Sequence, residues 1–154
     1  MQYAEPELDD LYRELILDHY RHPRHKGTLP NANATAEGYN PLCGDEIAVD
    51  LLLEDGVIKD VAFHGRGCSI SQASGSMMTD AVIGRTKEEA LKVLGVFKQM
   101  MTEPEKGIDE DVGDLEALQG VAKFPVRVKC ATLAWHVLEE GLEQDASNSG
   151  AKEG

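Results

Sequence analysis

The chain has 154 residues, the length of one domain with a full hydrophobic core, and this leaves little room for a two-domain enzyme. Its 28 Asp and Glu against 15 Lys and Arg give a net charge of -13, a field that repels phosphate backbones and anionic lipid, so neither nucleic acid nor membrane is an expected partner. Hydrophobic residues make up 42% and aromatics 5%, which predicts a folded domain with an aliphatic core. No apolar run approaches the roughly 18 to 20 residues of a spanning helix, and the acidic start (Glu5, Glu7, Asp9, Asp10) is unlike a signal peptide, so the expected location is cytoplasmic.

Leu8, Leu11, Tyr12 and Leu15 recur at helical spacing and predict an amphipathic helix over 7–21, ended by Pro23. A loop rich in Pro, Asn and Gly follows, with a short strand near Thr35–Tyr39. Ile47, Val49, Leu51 and Leu53 alternate as in a strand, and so do Val57, Lys59, Val61 and Phe63. The intervening Glu54-Asp55-Gly56 makes the pair an antiparallel hairpin. Ser69 and Gln72 read as a capping box opening a helix with Ile70, Ala73, Met77 and Ala81 on one face, closed by Gly84. Thr86 and Glu89 repeat the device for a helix that buries Ala90, Val93, Leu94, Phe97 and Met101. Residues 102–120, rich in Asp and Glu, read as an exposed acidic connection with one helical turn around Leu115 and Leu118. A last helix is expected from Cys130 onward, with residues 1–142 as one domain and 143–154 as a flexible tail.

Three cysteines in a chain without a secretory signal argue against a disulfide framework and leave metal binding or thiol chemistry open. Cys43-Gly44-Asp45 precedes a strand, and the glycine allows a turn tight enough to aim thiolate and carboxylate at one point. Cys68 sits at the far end of the hairpin, before a helix start whose amides and dipole favour a thiolate, and hairpin topology makes it a spatial neighbour of Cys43. Cys130 also precedes a helix, with Arg127 and Lys129 placing positive charge beside it. Three thiolates and a carboxylate suit zinc or iron; three cysteines packed as small hydrophobes is the plainer reading, because no close Cys-x-x-Cys pair is present. His19, His22 and His25 are interrupted by Pro23 and read as solvated or loop-packing side chains. His64 is a neighbour of Cys68, His136 is expected to pack or face solvent, and Met77, Met78, Met100 and Met101 are expected to fill the core.

The stretches Asp18-His19-Tyr20-Arg21-His22-Pro23-Arg24-His25-Lys26-Gly27, Asn40-Pro41-Leu42-Cys43-Gly44-Asp45, Gly67-Cys68-Ser69-Ile70-Ser71-Gln72-Ala73-Ser74 and Arg127-Val128-Lys129-Cys130-Ala131-Thr132-Leu133 closely resemble the IscU and NifU N-terminal family of iron-sulfur cluster assembly proteins, over about residues 7–142. Lys129 stands where the IscU branch has His, the acidic stretch around 103–120 looks like an extra segment of SufU-type relatives, and Phe124-Pro125-Val126-Arg127-Val128 lacks the intact chaperone-recognition motif of the IscU branch. The resemblance therefore implies a SufU-type member with an α+β fold, a small three-stranded antiparallel sheet with helices packed on it. It implies zinc held by Cys43, Asp45, Cys68 and Cys130, Arg127 beside the ligands, and a SufS-type cysteine desulfurase as partner, with downstream cluster assembly or acceptor proteins after it. In that family the desulfurase offers zinc a His, and the freed Cys43 takes persulfide sulfur. Two other readings use the same residues: a scaffold for a transient iron-sulfur cluster, and a structural zinc module that docks partners through an acidic face.

Overall fold

The computed structural model describes residues 6–41, 44–103 and 113–153, with side chains for 13–41, 44–103 and 113–144. Helix α1 (Pro6–Arg21) leads through a loop to strands β1 (Ala34–Asn40), β2 (Asp45–Glu54) and β3 (Val57–Arg66). Helices α2 (Ser69–Val82) and α3 (Lys87–Thr102), a 3-10 helix (Gly113–Lys123) and α4 (Pro125–Glu153) complete the described elements. The strands form one antiparallel sheet in the order β1-β2-β3. The expected α+β class thus holds.

The hairpin turn is the two-residue one that Asp55-Gly56 predicts. Both residues have positive φ, 56° and 77°, a backbone whose twist matches paired strands. Strand alternation then turns Ile47, Val49, Leu51, Val61 and Phe63 to a single face, each 1% exposed or less. Helices α2 and α4 cover that face. Phe97 of α3 stacks on Trp135 of α4 with ring centroids 4.7 Å apart, and the four methionines expected in the core are all buried there.

Helix α2 has almost no solvent side. Every residue from Ser71 to Thr79 is buried, so its hydroxyls need partners inside the protein. Ser74 Oγ donates to the Ala131 carbonyl and accepts from Trp135 Nε1 at 3.1 Å, tying α2 to α4. Ser76 Oγ accepts the Arg24 N–H at 2.8 Å and lies 2.8 Å from His19 Nδ1, tying α2 to α1 and the loop after it. Small residues let neighbours approach closely: a Cβ on Gly75 would stand 2.9 Å from the Phe63 ring.

Three expectations need correction. Cys68, not Ser69, caps α2, and no side chain of a capping box takes part. The acidic connection is packed over its second half, where the 3-10 helix buries Leu115, Ala117, Leu118 and Val121, while residues 104–112 lie outside the described ones. Helix α4 starts at Pro125, because proline's fixed φ and missing N–H suit the first helical position; Cys130 therefore lies within the helix, not before it. Its backbone is helical through Glu153. None of the helices in the described residues is long and apolar enough to cross a membrane.

Gly75→Ala sets two effects in opposition. Alanine favours a helix by about 1 kcal/mol over glycine, whereas crowding a core ring costs about 1–3 kcal/mol. Phe63 is fully buried and has nowhere to go, so crowding should win. Denaturant titration should show a net loss of up to about 2 kcal/mol.

Candidate metal centre

Asp45 opens β2 and is completely buried, which an ionised carboxylate tolerates only with donors around it. Three converge on it. The Cys68 N–H donates to Oδ1 at 3.0 Å, the Ser71 hydroxyl stands 3.3 Å from the same oxygen, and Asn40 Nδ2 donates to Oδ2 at 3.3 Å. Asp45 thereby satisfies the N-cap amide of α2 from across the fold, the task that a capping-box Glu performs locally. This fastens the start of β2 to the start of α2.

The arrangement depends on Gly67. Its φ of 156° is one that side-chain-bearing residues rarely adopt, and a Cβ there would run into Asp45 Oδ1 and come within 2.6 Å of Ser71 Oγ. Cys68, half-buried at the α2 N-terminus, and Cys130, fully buried on α4, face the carboxylate. One donor atom from each of Asp45, Cys68 and Cys130 lies within 4.8 Å of the others. Asn40 Nδ2 also donates to Cys130 Sγ at 3.8 Å.

The fold brings together three of the four residues expected to form a ligand set. Cys43, the fourth, lies outside the described residues, although the chain returns at Gly44, whose N–H bonds the Asn40 carbonyl at 2.8 Å. Arg127 is exposed and lines an apolar cavity of about 850 Å³ together with Ile16, Leu17, Ile70 and Phe124, next to Ser69 of α2. Lys129 is exposed as well. Of the histidines, His19 is neither solvated nor packed in a loop: it sits on α1, 1% exposed, its Nε2 2.9 Å from Asp114 Oδ2. His22 is exposed, and His64 Nδ1 lies 3.2 Å from the Gly27 carbonyl. His136 is exposed on α4, where partial desolvation and the nearby Lys98 lower its pKa.

Two thiols and one carboxylate, Asp45 and Cys130 buried and Cys68 half-buried, with their sulfur and oxygen atoms converging, are a donor set that fits zinc, and a fourth ligand would close the tetrahedron. The cluster gathers residues from β2, the α2 cap and α4, so a bound metal would cross-link the sheet to both helices. Sequence reasoning missed the supports, namely Asn40, Gly67 and Ser71. Gly-Cys before a helix hinted at the glycine; nothing local marks the asparagine, which meets Cys130 ninety positions away.

The sequence profile described as NifU-like N terminal domain matches residues 11–144. The zinc-dependent sulfurtransferase SufU of Bacillus subtilis (strain 168) is 49% identical over 138 residues, which are 90% of this chain and 93% of that protein. The iron-sulfur cluster assembly scaffold protein IscU of Streptococcus pyogenes serotype M1 is 45% identical over 140 residues, 91% of this chain and 87% of that protein. Among solved structures, a candidate iron-sulfur cluster assembly scaffold for the SUF system of Fervidobacterium islandicum AW-1 superposes with a TM-score of 0.78 at 40% identity, covering 84% of this chain and 94% of that one. The N-terminal NifU-like protein of Brucella abortus reaches a TM-score of 0.80 at 27% identity, covering 89% and 95%.

Gly67→Ala should displace the Asp45 carboxylate and weaken zinc binding by at least tenfold, the scale typical for disturbing the groups that orient a ligand. Zinc affinity measured by competition with a chromophoric chelator checks this; affinity equal to wild type would show that the carboxylate has no part in the site.

Proposed function

The chain belongs to the NifU-like N-terminal domain family, and on that footing we propose that it is a zinc-dependent sulfur acceptor and transfer protein of iron-sulfur cluster assembly. The observation that carries the reading is the convergent group Asp45, Cys68 and Cys130, set in a chain about half identical to a zinc-dependent sulfurtransferase. Cys43, Asp45, Cys68 and Cys130 would hold zinc, which when bound keeps thiols deprotonated and shielded from reaction.

The residues divide the work by exposure and anchorage. Cys130 has no solvent-accessible surface, and Cys68 is fixed at a helix cap, so both serve as permanent ligands. Cys43 is the acceptor. Its thiolate attacks the outer sulfur of a persulfide on the donor, a new S–S bond forms on Cys43, and the donor's S–S bond breaks with its electron pair leaving on the donor cysteine as thiolate. The donor in this reading is a cysteine desulfurase of the SufS type, and downstream acceptor proteins consume the Cys43 persulfide. The exposed Arg127, three residues before Cys130 and beside the apolar cavity, is placed to orient an incoming carboxylate or thiolate.

The same residues would serve a scaffold, the role named for the Streptococcus relative. Lys129, however, stands exposed before Cys130 at the position where the resemblance gives the IscU branch a His, and this favours transfer. Incubation with desulfurase and cysteine separates the two: faster cysteine turnover with no visible cluster absorption is expected, and a cluster spectrum on this chain would select the scaffold.

Substitution separates the ligands' roles. Cys43→Ser should abolish sulfur acceptance yet retain a weakened zinc site, because three ligands plus water still make an open site. Cys68→Ser and Cys130→Ser should lose zinc and thermal stability together. Peptide mapping by mass spectrometry after brief reaction of the wild type should find the added sulfur on Cys43; sulfur appearing first on Cys68 or Cys130 refutes the assignment.

A further inference from the structure

Transfer by Cys43 creates a problem for the remaining ligands. While Cys43 carries sulfur, the metal must stay on Asp45, Cys68 and Cys130, an anionic set whose donor atoms lie within 4.8 Å of one another in a buried site. Like charges that close repel, and burial weakens the screening that water would give. Something must hold them facing one point.

Asn40 is placed to do so. It ends β1 directly opposite Asp45 in the strand register, and it is only 6% exposed. Its Nδ2, an amide nitrogen with two N–H groups to give, donates to Asp45 Oδ2 at 3.3 Å and to Cys130 Sγ at 3.8 Å. It therefore puts partial positive charge between the carboxylate and the thiolate and joins the sheet end to α4. Oδ1 of Asp45 faces the Cys68 amide and the Ser71 hydroxyl while Asn40 holds Oδ2, so the Asn40 contact fixes the direction of the second carboxylate oxygen. The Asn40 main chain acts separately: its carbonyl accepts the Gly44 N–H at 2.8 Å.

We propose that Asn40 is the positioning residue for the metal, its side-chain amide clamping Asp45 and Cys130 so that three ligands keep their grip while Cys43 is away accepting sulfur. The inference rests on the ligand reading given above. It assigns the amide above all to the state in which Cys43 has left, where no fourth ligand from this chain holds the set together.

Zinc affinity, again by chelator competition, tests it on Asn40→Leu, similar in size but without donors, and on Asn40→Asp, the same shape with a repelling charge. Both are made in the wild type and in Cys43→Ser. Asn40→Leu should weaken zinc binding about 10- to 100-fold in the wild type, the range seen for groups that orient metal ligands. The loss should be larger in Cys43→Ser, and Asn40→Asp should exceed Asn40→Leu in both. In cobalt-substituted protein the thiolate-to-metal charge-transfer band should shift when the N–H···S contact is removed, a change that loosened packing elsewhere would not cause. Affinities within twofold of the parent in both backgrounds, with an unchanged cobalt band, overturn the proposal. Should Asn40→Leu fail to fold, Asn40→Asp decides on the same criteria. Retention of zinc by Cys130→Ser would instead overturn the ligand reading itself, and the clamp with it.

Discussion

A carboxylate with no access to water governs this structure. Asp45 is 0% exposed, and leaving such a group without donors would cost several kcal/mol, a large part of the roughly 5–15 kcal/mol by which a domain is stable. The chain meets the requirement with parts drawn from three places: the end of β1 supplies Asn40, the stretch after β3 supplies Gly67 and the Cys68 amide, and the first turn of α2 supplies Ser71. Each part is chosen for what it must not be as much as for what it is. Gly67 must lack a side chain, and Ser71 must be small enough to sit beneath the carboxylate. The metal centre is thus the visible end of a hydrogen-bond arrangement that also decides where α2 begins.

Helix α2 carries that arrangement into the rest of the protein. Because it is buried on nearly every side, its hydroxyls act as joints: Ser71 to the site, Ser74 to α4, Ser76 to α1 and Arg24. His19 continues the last joint outward, with Ser76 on one ring nitrogen and Asp114 on the other, and so seats the 3-10 helix that follows the acidic stretch. The opposite end of the hairpin is pinned independently, since the Lys87 N–H bonds the Gly56 carbonyl and the Ile58 N–H bonds that of Arg85. The sheet is therefore held at both ends, which keeps Asp45 and Cys68 in register with α4.

What could be read from the sequence was whatever repeats or punctuates locally. Alternation gave β2 and β3, Asp55-Gly56 gave their turn, and Thr86 with Glu89 marked the start of α3, where the capping box forms in full. The three described ligand candidates were legible as well, but largely through the resemblance, since spacing alone left buried thiols as a fair reading. Ser69 misled because Ser-x-x-Gln has the form of a capping box, while the cap amide is in fact taken by Asp45 from another strand. The 3-10 helix was hidden by its charges: Asp114 and Glu116 are exposed, yet Leu115, Ala117 and Leu118 between and after them are buried. Asn40 and His19 were illegible for one reason, that their partners lie far along the chain and no local pattern encodes a distant hydrogen bond.

The dispersal of the site along the chain also has a meaning for synthesis. Asp45 and Cys68 leave the ribosome well before Cys130, and at about 5–20 residues per second the interval lasts several seconds. Throughout it the sheet end is made but lacks the helix that buries it, because Cys130 and Trp135 belong to the same stretch of α4. No nascent fragment short of α4 can own the complete pocket. Asp45 and Cys68 therefore wait for the last helix, and its docking is the single event that brings Cys130 against them.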